Sequence, residues 1–193
     1  MRLFVAINLP DRVRERVDAG TRDLRSLPGV RWVPLLNIHL TLSFIGEVGE
    51  GRAAEVERVV REVAAGHRPF EAQITVPGAF PSLRRPRVIW LGLAAGEALS
   101  ALQRDLEEQL ETVGIGREDR PFRAHLTLGR TRRGQRIDGP ALDALVRRAA
   151  VSASWWVRRV DLMRSHLRPS GAEYEVLASA ALAGESRDEG RRD

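Results

Sequence analysis

The chain has 193 residues, of which 43% are hydrophobic and 30% charged, a composition typical of a globular protein that buries its core in one large domain or two small lobes. Its basic side chains are 31 arginines and no lysine, against 26 acids, and the net charge of +5 is a modest positive field that favours a polyanionic ligand such as RNA. The missing lysine excludes a Walker A site, a lysine-dependent nucleotidyl-transferase ligase and a Schiff-base enzyme, and the absence of cysteine excludes disulfides, a thiolate nucleophile and cysteine-ligated zinc.

The N-terminal segment MRLFVAINLPD has an apolar run that is too short, and is ended too soon by Pro10, for a secretory signal. No apolar stretch of the sequence approaches the length of a membrane span. We therefore expect a cytoplasmic protein without membrane attachment.

Hydrophobic periodicity predicts alternating helices and strands in the first half of the chain. In chain order we predict a strand over residues 2–8, a helix from Pro10 to about Leu27, a strand over 38–45, a helix over 52–65, and strands over 70–76 and 87–93. The segment between the last two strands, PGAFPSLRRP, is rich in turn-forming residues.

A similar order is predicted for the second half. It contains a helix over about 99–113, a strand over 122–128, a short helix from Pro140, and strands over about 154–164 and 173–182. The final segment GESRDEGRRD (184–193) has no apolar anchor, so we expect a disordered tail after a single domain over residues 1–183.

The tetrapeptide HLTL occurs twice, at 39–42 and at 125–128, in a chain that has only four histidines. Composition alone makes this coincidence roughly a one-in-a-million event, so an internal repeat is the economical explanation. An offset of 86 residues superimposes the two copies and also places Val88 on Tyr174. Each half then contains helix, HLTL strand, helix and strand pair, which predicts two lobes related by a pseudo-twofold axis.

Side chains alternate faces along a strand, so His39 and Thr41 point one way and their leucine neighbours the other. The same holds for His125 and Thr127. If the two polar faces meet across a groove, two imidazoles and two hydroxyls surround one point.

Such a group of side chains suits a phosphodiester. In-line displacement needs a base on the attacking water and an acid on the departing oxygen, and histidine can be neutral or protonated near neutral pH. Threonine hydroxyls can donate to the non-bridging oxygens. A phosphate with a hydrogen bond on each side predicts imidazole nitrogens roughly 6–8 Å apart, and the scheme needs no metal.

A single strand histidine is usually structural, and it is the duplication that favours a catalytic role for His39 and His125. His67 and His166 lack the threonine two residues later and are interpreted as loop or edge residues.

Several segments resemble the bacterial and archaeal RNA 2′,3′-cyclic phosphodiesterases of the 2H phosphoesterase superfamily, also called 2′-5′ RNA ligases. Besides the two His-x-Thr motifs, they are RLFVAINLP, WVPLLNIHLTLSFIGEV, GAFPSLRRPRVIWLGL and SHLRPSGAEYEVLA. The resemblance covers about residues 1–182 and implies a bilobal α/β fold, with two antiparallel sheets lining a central cleft and helices on the outer faces.

The resemblance also implies an activity and its residues. It implies hydrolysis of an RNA 2′,3′-cyclic phosphate to a 2′-phosphomonoester, without metal or cofactor, by a monomer acting on RNA ends such as those of tRNA fragments. It assigns His39 as proton donor to the leaving oxygen and His125 as the base for water, roles that geometry alone leaves open. It assigns phosphate binding to Thr41, Thr127 and Arg130.

Arg130 falls on the leucine side of a regular strand, so it reaches the cleft only if Gly129 breaks the alternation. For the rest of the RNA we expect base stacking and phosphate contacts, with Phe44, Phe80 and the pair Arg84–Arg85 as candidates. Trp155 and Trp156 face opposite ways on a strand, so at least one of them is expected to be buried.

Other functions are compatible with the same motifs, because the motifs bind the phosphate and not the base. One is a phosphodiesterase for another 2′-linked or cyclic nucleotide, such as a 2′-5′ oligonucleotide or an ADP-ribose cyclic phosphate. Another is a non-catalytic module that binds RNA ends. A histidine-based metal site is disfavoured, because two histidines do not complete a zinc shell.

Overall fold

The computed structural model describes residues 1–118, 120–168 and 171–183, so the predicted tail lies outside the described residues. In these ranges the chain forms four α-helices and nine strands. The helices are α1 (Asp11–Thr21), α2 (Glu50–Gly66), α3 (Gly96–Thr112) and α4 (Gly139–Arg148). The strands are β1 (Arg2–Asn8), β2 (Val30–Trp32), β3 (His39–Glu47), β4 (Phe70–Phe80), β5 (Val88–Ala94), β6 (His125–Thr131), β7 (Ser154–Val157), β8 (Arg159–Arg168) and β9 (Gly171–Ala181). None of these helices is long and apolar enough to cross a membrane.

The strands pair antiparallel in the order β7-β4-β5-β6-β3-β1-β8-β9, and β2 pairs with β6 beside this path. The two halves of the sheet meet where Leu40 of β3 pairs with Leu126 of β6. We call β3, β1, β8 and β9 lobe one, and β6, β5, β4 and β7 lobe two. The predicted bilobal α/β fold with antiparallel sheet halves is confirmed, and the halves are continuous through the central pair.

The 86-residue offset holds over more of the chain than the HLTL motifs. It maps β1 onto β5, α1 onto α3, β3 onto β6, α2 onto α4, and β4 onto β8. However, β4 pairs with β5, and β8 pairs with β1. Each repeat therefore contributes its last strand to the other lobe, and the repeat begins one strand earlier than the sequence pattern indicates, with Val88 equivalent to Arg2.

The two faces of the sheet have different surroundings. One face packs under the helices and forms the main core, to which β1 contributes Leu3, Val5 and Ile7. On the other face Phe4, together with Ala6 and Met163, forms a smaller buried cluster. Because β1 is buried on both faces, it is apolar along almost its whole length, and the polar motif strands lie at the centre of the open face.

Several predicted boundaries are wrong, and three of them have a clear physical cause. The first helix ends at Thr21 and not near Leu27, because Gly20 weakens the helix and its backbone lies against the carbonyl of Ala150; Leu24 enters the core from a 3-10 turn. The strand predicted over 154–164 is two strands in different lobes, β7 beside β4 and β8 beside β1. Strand β4 continues past Pro77, because a register shift there accommodates a residue without an N–H.

Candidate active site

His39 and His125 are the first residues of the two central strands. The antiparallel register about the Leu40–Leu126 pair places His39 level with Thr127 and His125 level with Thr41. Both leucines are fully buried in the main core, whereas the two histidines and two threonines are only partly buried on the other face. The structure therefore brings the four predicted motif side chains together on one face, around the pseudo-twofold axis.

The two histidines are diagonal neighbours across the β3–β6 pair. Diagonal neighbours on antiparallel strands lie about 7–8 Å apart, a separation that one tetrahedral phosphate with a hydrogen bond on each side can span. Their closeness also has an electrostatic effect, because repulsion from His125 contributes to the lowered pKa of His39.

Each imidazole is oriented by the backbone in the same way. The Nδ1 of His39 lies 2.8 Å from the carbonyl oxygen of Asn37, and the Nδ1 of His125 lies 2.6 Å from that of Arg123. A carbonyl oxygen can only accept, so Nδ1 carries the proton in both neutral rings. The Nε2 atom of each ring is thus the one available for proton transfer, and that of His39 lies 3.1 Å from the hydroxyl of Thr41.

His39 is enclosed by aromatic rings. Phe4 stacks on it with ring centroids 4.9 Å apart, and Tyr174 meets it edge-on at 5.3 Å. Burial lowers the pKa of His39 to about 4, with repulsion from His125 adding to the effect and the hydrogen bond to Asn37 opposing it. In the unliganded cleft His39 is therefore neutral at neutral pH.

His125 has a different aromatic setting. Phe80 meets its ring edge-on at 5.2 Å, and Trp90 lies 6.4 Å away. Trp90 occupies the repeat position of Phe4, so in each lobe an aromatic side chain of the neighbouring strand flanks the histidine. Arg123 lies over the ring of Phe80 at 5.9 Å.

A β-bulge brings Arg130 to the cleft face. Trp90 pairs with Thr127, but Val88 pairs with Arg130, so β6 carries one extra residue, Leu128, between these pairs. The extra residue restores Arg130 to the face of Thr127, whereas a regular strand would turn it away.

Gly129 is needed at this bulge. A Cβ atom there would lie 2.6 Å from a methyl of Val30 and 2.8 Å from the ring of Trp32, so only glycine admits β2 to the edge of β6. The same register shift occurs in β3 around Leu42, and it places Phe44 on the cleft face 6.3 Å from Phe4.

Sequence reasoning missed two residues that lie next to His39. The carbonyl of Asn37 holds the ring, and its side-chain amide donates to the carbonyl of Ala172 on β9 at 2.8 Å. Asn8, which pairs with His39, donates to the buried carboxylate of Asp161 at 2.8 Å, and Ser179 donates to the other oxygen. The repeat contains a signal for Asn37, because Asn37 and Arg123 stand two residues before the histidine in the two copies and hold the ring through the same backbone carbonyl.

The remaining candidates lie elsewhere. His67 follows α2 and pairs with Asp105 of α3 at 3.0 Å, and His166 lies in β8 and pairs with Glu175 at 2.9 Å. As predicted, one tryptophan of the pair is buried, Trp155 with 3% exposure against 55% for Trp156. Over the described ranges, no three histidine, aspartate or glutamate side chains are grouped so as to hold a metal ion.

Comparison with known proteins identifies the family. Residues 9–169 match the family model described as the 2′-5′ RNA ligase superfamily. The chain is 37% identical to an RNA 2′,3′-cyclic phosphodiesterase of Archaeoglobus fulgidus over 92% of its own length and 98% of the relative. It is 38% identical to a protein of the same name from Methanothermobacter thermautotrophicus, covering 90% and 95% of the two chains.

Solved structures extend the likeness to the fold. A Thermus thermophilus protein superimposes with a TM-score of 0.81 at 30% identity, covering 96% of this chain and 100% of the other. E. coli LigT in complex with 3′-AMP superimposes with a TM-score of 0.76 at 27% identity, covering 95% and 98%. With the family model matched over most of its length, this chain belongs to the 2′-5′ RNA ligase superfamily.

Proposed function

We propose that the protein hydrolyses RNA 2′,3′-cyclic phosphate ends to 2′-phosphomonoesters by acid–base catalysis between two histidines. The observation that carries the proposal is the matched pair of imidazoles, each with Nδ1 held by the carbonyl two residues earlier and Nε2 left for the cleft. The names of the relatives from Archaeoglobus and Methanothermobacter support the same substrate class.

In the proposed reaction a water molecule attacks phosphorus opposite the 3′-oxygen. Nε2 of His125 takes a proton from the water as the new P–O bond forms, and Nε2 of His39 gives a proton to the 3′-oxygen as the P–O3′ bond breaks. Thr41, Thr127 and Arg130 hold the non-bridging oxygens, where charge increases in the transition state. Both histidines come from one chain, so a monomer suffices.

The acid role of His39 requires that substrate change its protonation. Its pKa of about 4 in the unliganded cleft leaves it neutral, and a neutral imidazole cannot donate from Nε2 while Nδ1 holds the only proton. An anionic phosphate beside Nε2 favours the charged ring and raises the pKa of His39. Substrate binding and proton uptake are therefore coupled in this scheme.

The same residues can support ligation. If a 5′-hydroxyl replaces water, His125 deprotonates it and the same P–O3′ bond breaks, so the product is a 2′-5′ phosphodiester. Unlike lysine-dependent ligation, this route needs no adenylylated lysine, which this chain could not supply.

The central experiment is incubation of the protein with RNA ending in a 2′,3′-cyclic phosphate in excess EDTA, followed by identification of the product isomer. We expect a 2′-phosphate, and loss of about three or more orders of magnitude in kcat for His125→Ala with RNA binding retained. Unchanged turnover in that variant would exclude catalysis by His125. A protein that binds RNA ends without turnover would be a binding module, and turnover of only 2′-5′ oligonucleotides or ADP-ribose cyclic phosphate would identify the alternative substrate.

The two histidine roles can be separated by the leaving group. Sulfur in place of the 3′-oxygen leaves as a thiolate that needs no proton, because a thiol is far more acidic than an alcohol. With this substrate His39→Ala should recover most of the wild-type rate and His125→Ala should not. Recovery in the His125 variant alone would reverse the assignment.

A further inference from the structure

Lobe two carries exposed arginines next to the cleft that have no acidic partner. In the part of the chain that the structure describes, none of them forms an ion pair with a carboxylate. They are Arg84, Arg85 and Arg87, in the segment between β4 and β5, and Arg132, Arg133 and Arg136, after β6. We call these six residues the lobe-two arginine surface.

Backbone contacts bring the two segments of this surface together. The N–H of Thr131 donates to the carbonyl of Arg87 at 3.1 Å, and the α4 start at Gly139 lies against the backbone of Arg84. The surface begins beside Arg130 on the cleft face and extends outward. Because a strand rises about 3.3 Å per residue, Thr131 lies roughly 20 Å from His125, a distance that spans more than one nucleotide.

The internal repeat shows that the fold does not require these charges. At the 86-residue offset, Arg133 corresponds to Glu47 of lobe one, and Arg136 to Glu50. A preference for arginine over lysine cannot account for arginine where the other copy has glutamate. In lobe one, moreover, Glu173 pairs with Arg168 and Glu175 with His166.

We propose that the lobe-two arginine surface binds the sugar–phosphate backbone of the RNA that leads to the cyclic end, so that an oligonucleotide is preferred to a mononucleotide. This inference rests on the proposed function, which places the cyclic phosphate between the histidines. Exposed guanidinium groups bind phosphate oxygens without reading sequence. The unpartnered arginines of lobe two attract this polyanion, and Glu47 and Glu50 repel it from lobe one, so the RNA leaves the cleft over lobe two.

The test compares two substrates with the same reactive end: a nucleoside 2′,3′-cyclic phosphate and an oligonucleotide of about a dozen residues ending in that group. The variant carries Arg84→Gln, Arg85→Gln and Arg87→Gln. We expect kcat/KM for the oligonucleotide to fall about tenfold or more at low salt, and for the mononucleotide to change by less than about twofold. Each phosphate contact on a single strand contributes about 0.7 to the slope of log KM against log salt concentration, so the loss of three contacts should decrease this slope by about 2.

A matched control removes the same charge from the outer helices. Arg58→Gln, Arg61→Gln and Arg104→Gln change residues of α2 and α3 that lie near glutamates. This control should keep wild-type kinetics on both substrates, whereas a second variant with Arg132→Gln, Arg133→Gln and Arg136→Gln should reproduce the defect on the oligonucleotide. Unchanged oligonucleotide kinetics in both lobe-two variants, or an equal loss in the control, would overturn the inference.

Binding of an oligonucleotide with a 2′-phosphate end, measured by fluorescence anisotropy, tests the surface without turnover. The lobe-two variants should bind more weakly than wild type and the control should not; equal affinity in all proteins would also overturn the inference. If wild type turns over neither substrate but the variants bind more weakly, the proposed function fails and the surface stands.

Discussion

Replacing His39 with glutamine should remove a large part of the acid sensitivity of the fold. An imidazole that titrates at 6.5 when unfolded and at about 4 in the folded protein binds a proton more readily in the unfolded chain. Its contribution to stability is therefore fully present above pH 6.5 and is lost as the pH falls toward 4. A shift of one pKa unit corresponds to about 1.36 kcal/mol, so lowering the pH from about 7.5 to about 4 reduces the free energy of unfolding by about 3 kcal/mol.

The assay is urea unfolding of the wild type and of His39→Gln at a series of pH values. Other titrating groups are common to both proteins, so the difference between the two pH profiles isolates His39. We expect the wild type to lose about 3 kcal/mol more than the variant over this range. Parallel profiles, or a His39 ring that titrates near 6.5 by NMR, would refute the argument that burial against Phe4 and Tyr174 controls this group.

Three further outcomes follow from the geometry of the site. Asn37→Ala should lower kcat about tenfold, with little change in KM. The variant loses the hydrogen bond from the Asn37 side chain to β9, which is worth about 1 kcal/mol and fixes the turn that orients the His39 ring. An unchanged kcat would mean that the turn keeps its shape without this hydrogen bond. Gly129→Ala should lower the free energy of unfolding by about 1–3 kcal/mol in urea, because its Cβ collides with β2, whereas Gly51→Ala, with open space around it in α2, should not destabilise. Arg130→Ala should reduce kcat/KM about equally for mononucleotide and oligonucleotide substrates, by about 10²-fold, because in the proposed reaction it binds the reacting phosphate itself; a loss confined to the oligonucleotide would place Arg130 in the outer surface.

The central strands could be predicted in detail because their information is local. In HLTL the alternation of side chains fixes which residues share a face, and duplication supplies the second copy. Leu40 and Leu126 are buried and the histidines lie on the open face, as the pattern indicates. The placement of four motif residues on one face therefore required no knowledge of the other strands.

Strand partners could not be predicted in this way. The choice of β5 for β4 and of β1 for β8 depends on contacts between distant segments, and two successive strands with the same alternation look like one. The 154–164 segment was predicted as a single strand for this reason. Only the pairing of β7 and β8 with different lobes reveals the break.

The position of Arg130 shows a different limit. A bulge changes the face of every residue that follows it, and its sequence signal is a single glycine whose purpose is the close approach of Trp32. The clue was present at Gly129, but its effect depends on β2, a strand of three residues that the sequence did not predict. A one-residue shift thus decides whether Arg130 lies on the cleft face.

The duplicated motif creates a symmetry that the chemistry must break. A phosphate between two identical imidazoles would have an acid and a base with equal pKa values, whereas acid–base catalysis benefits when environments push the two apart. The motifs are identical, so the difference must come from their neighbours. Phe4 and Tyr174 bury His39, and the amide of Asn37 ties its supporting turn to β9. At the equivalent of Asn37 the second lobe has an arginine, and at the equivalent of Phe44 it has Arg130. Aromatic rings flank both histidines, but lobe one has Asn37 and Phe44 where lobe two has Arg123 and Arg130. We infer that this divergence of the flanking residues, and not of the motif, gives the two copies the different roles of the proposed reaction.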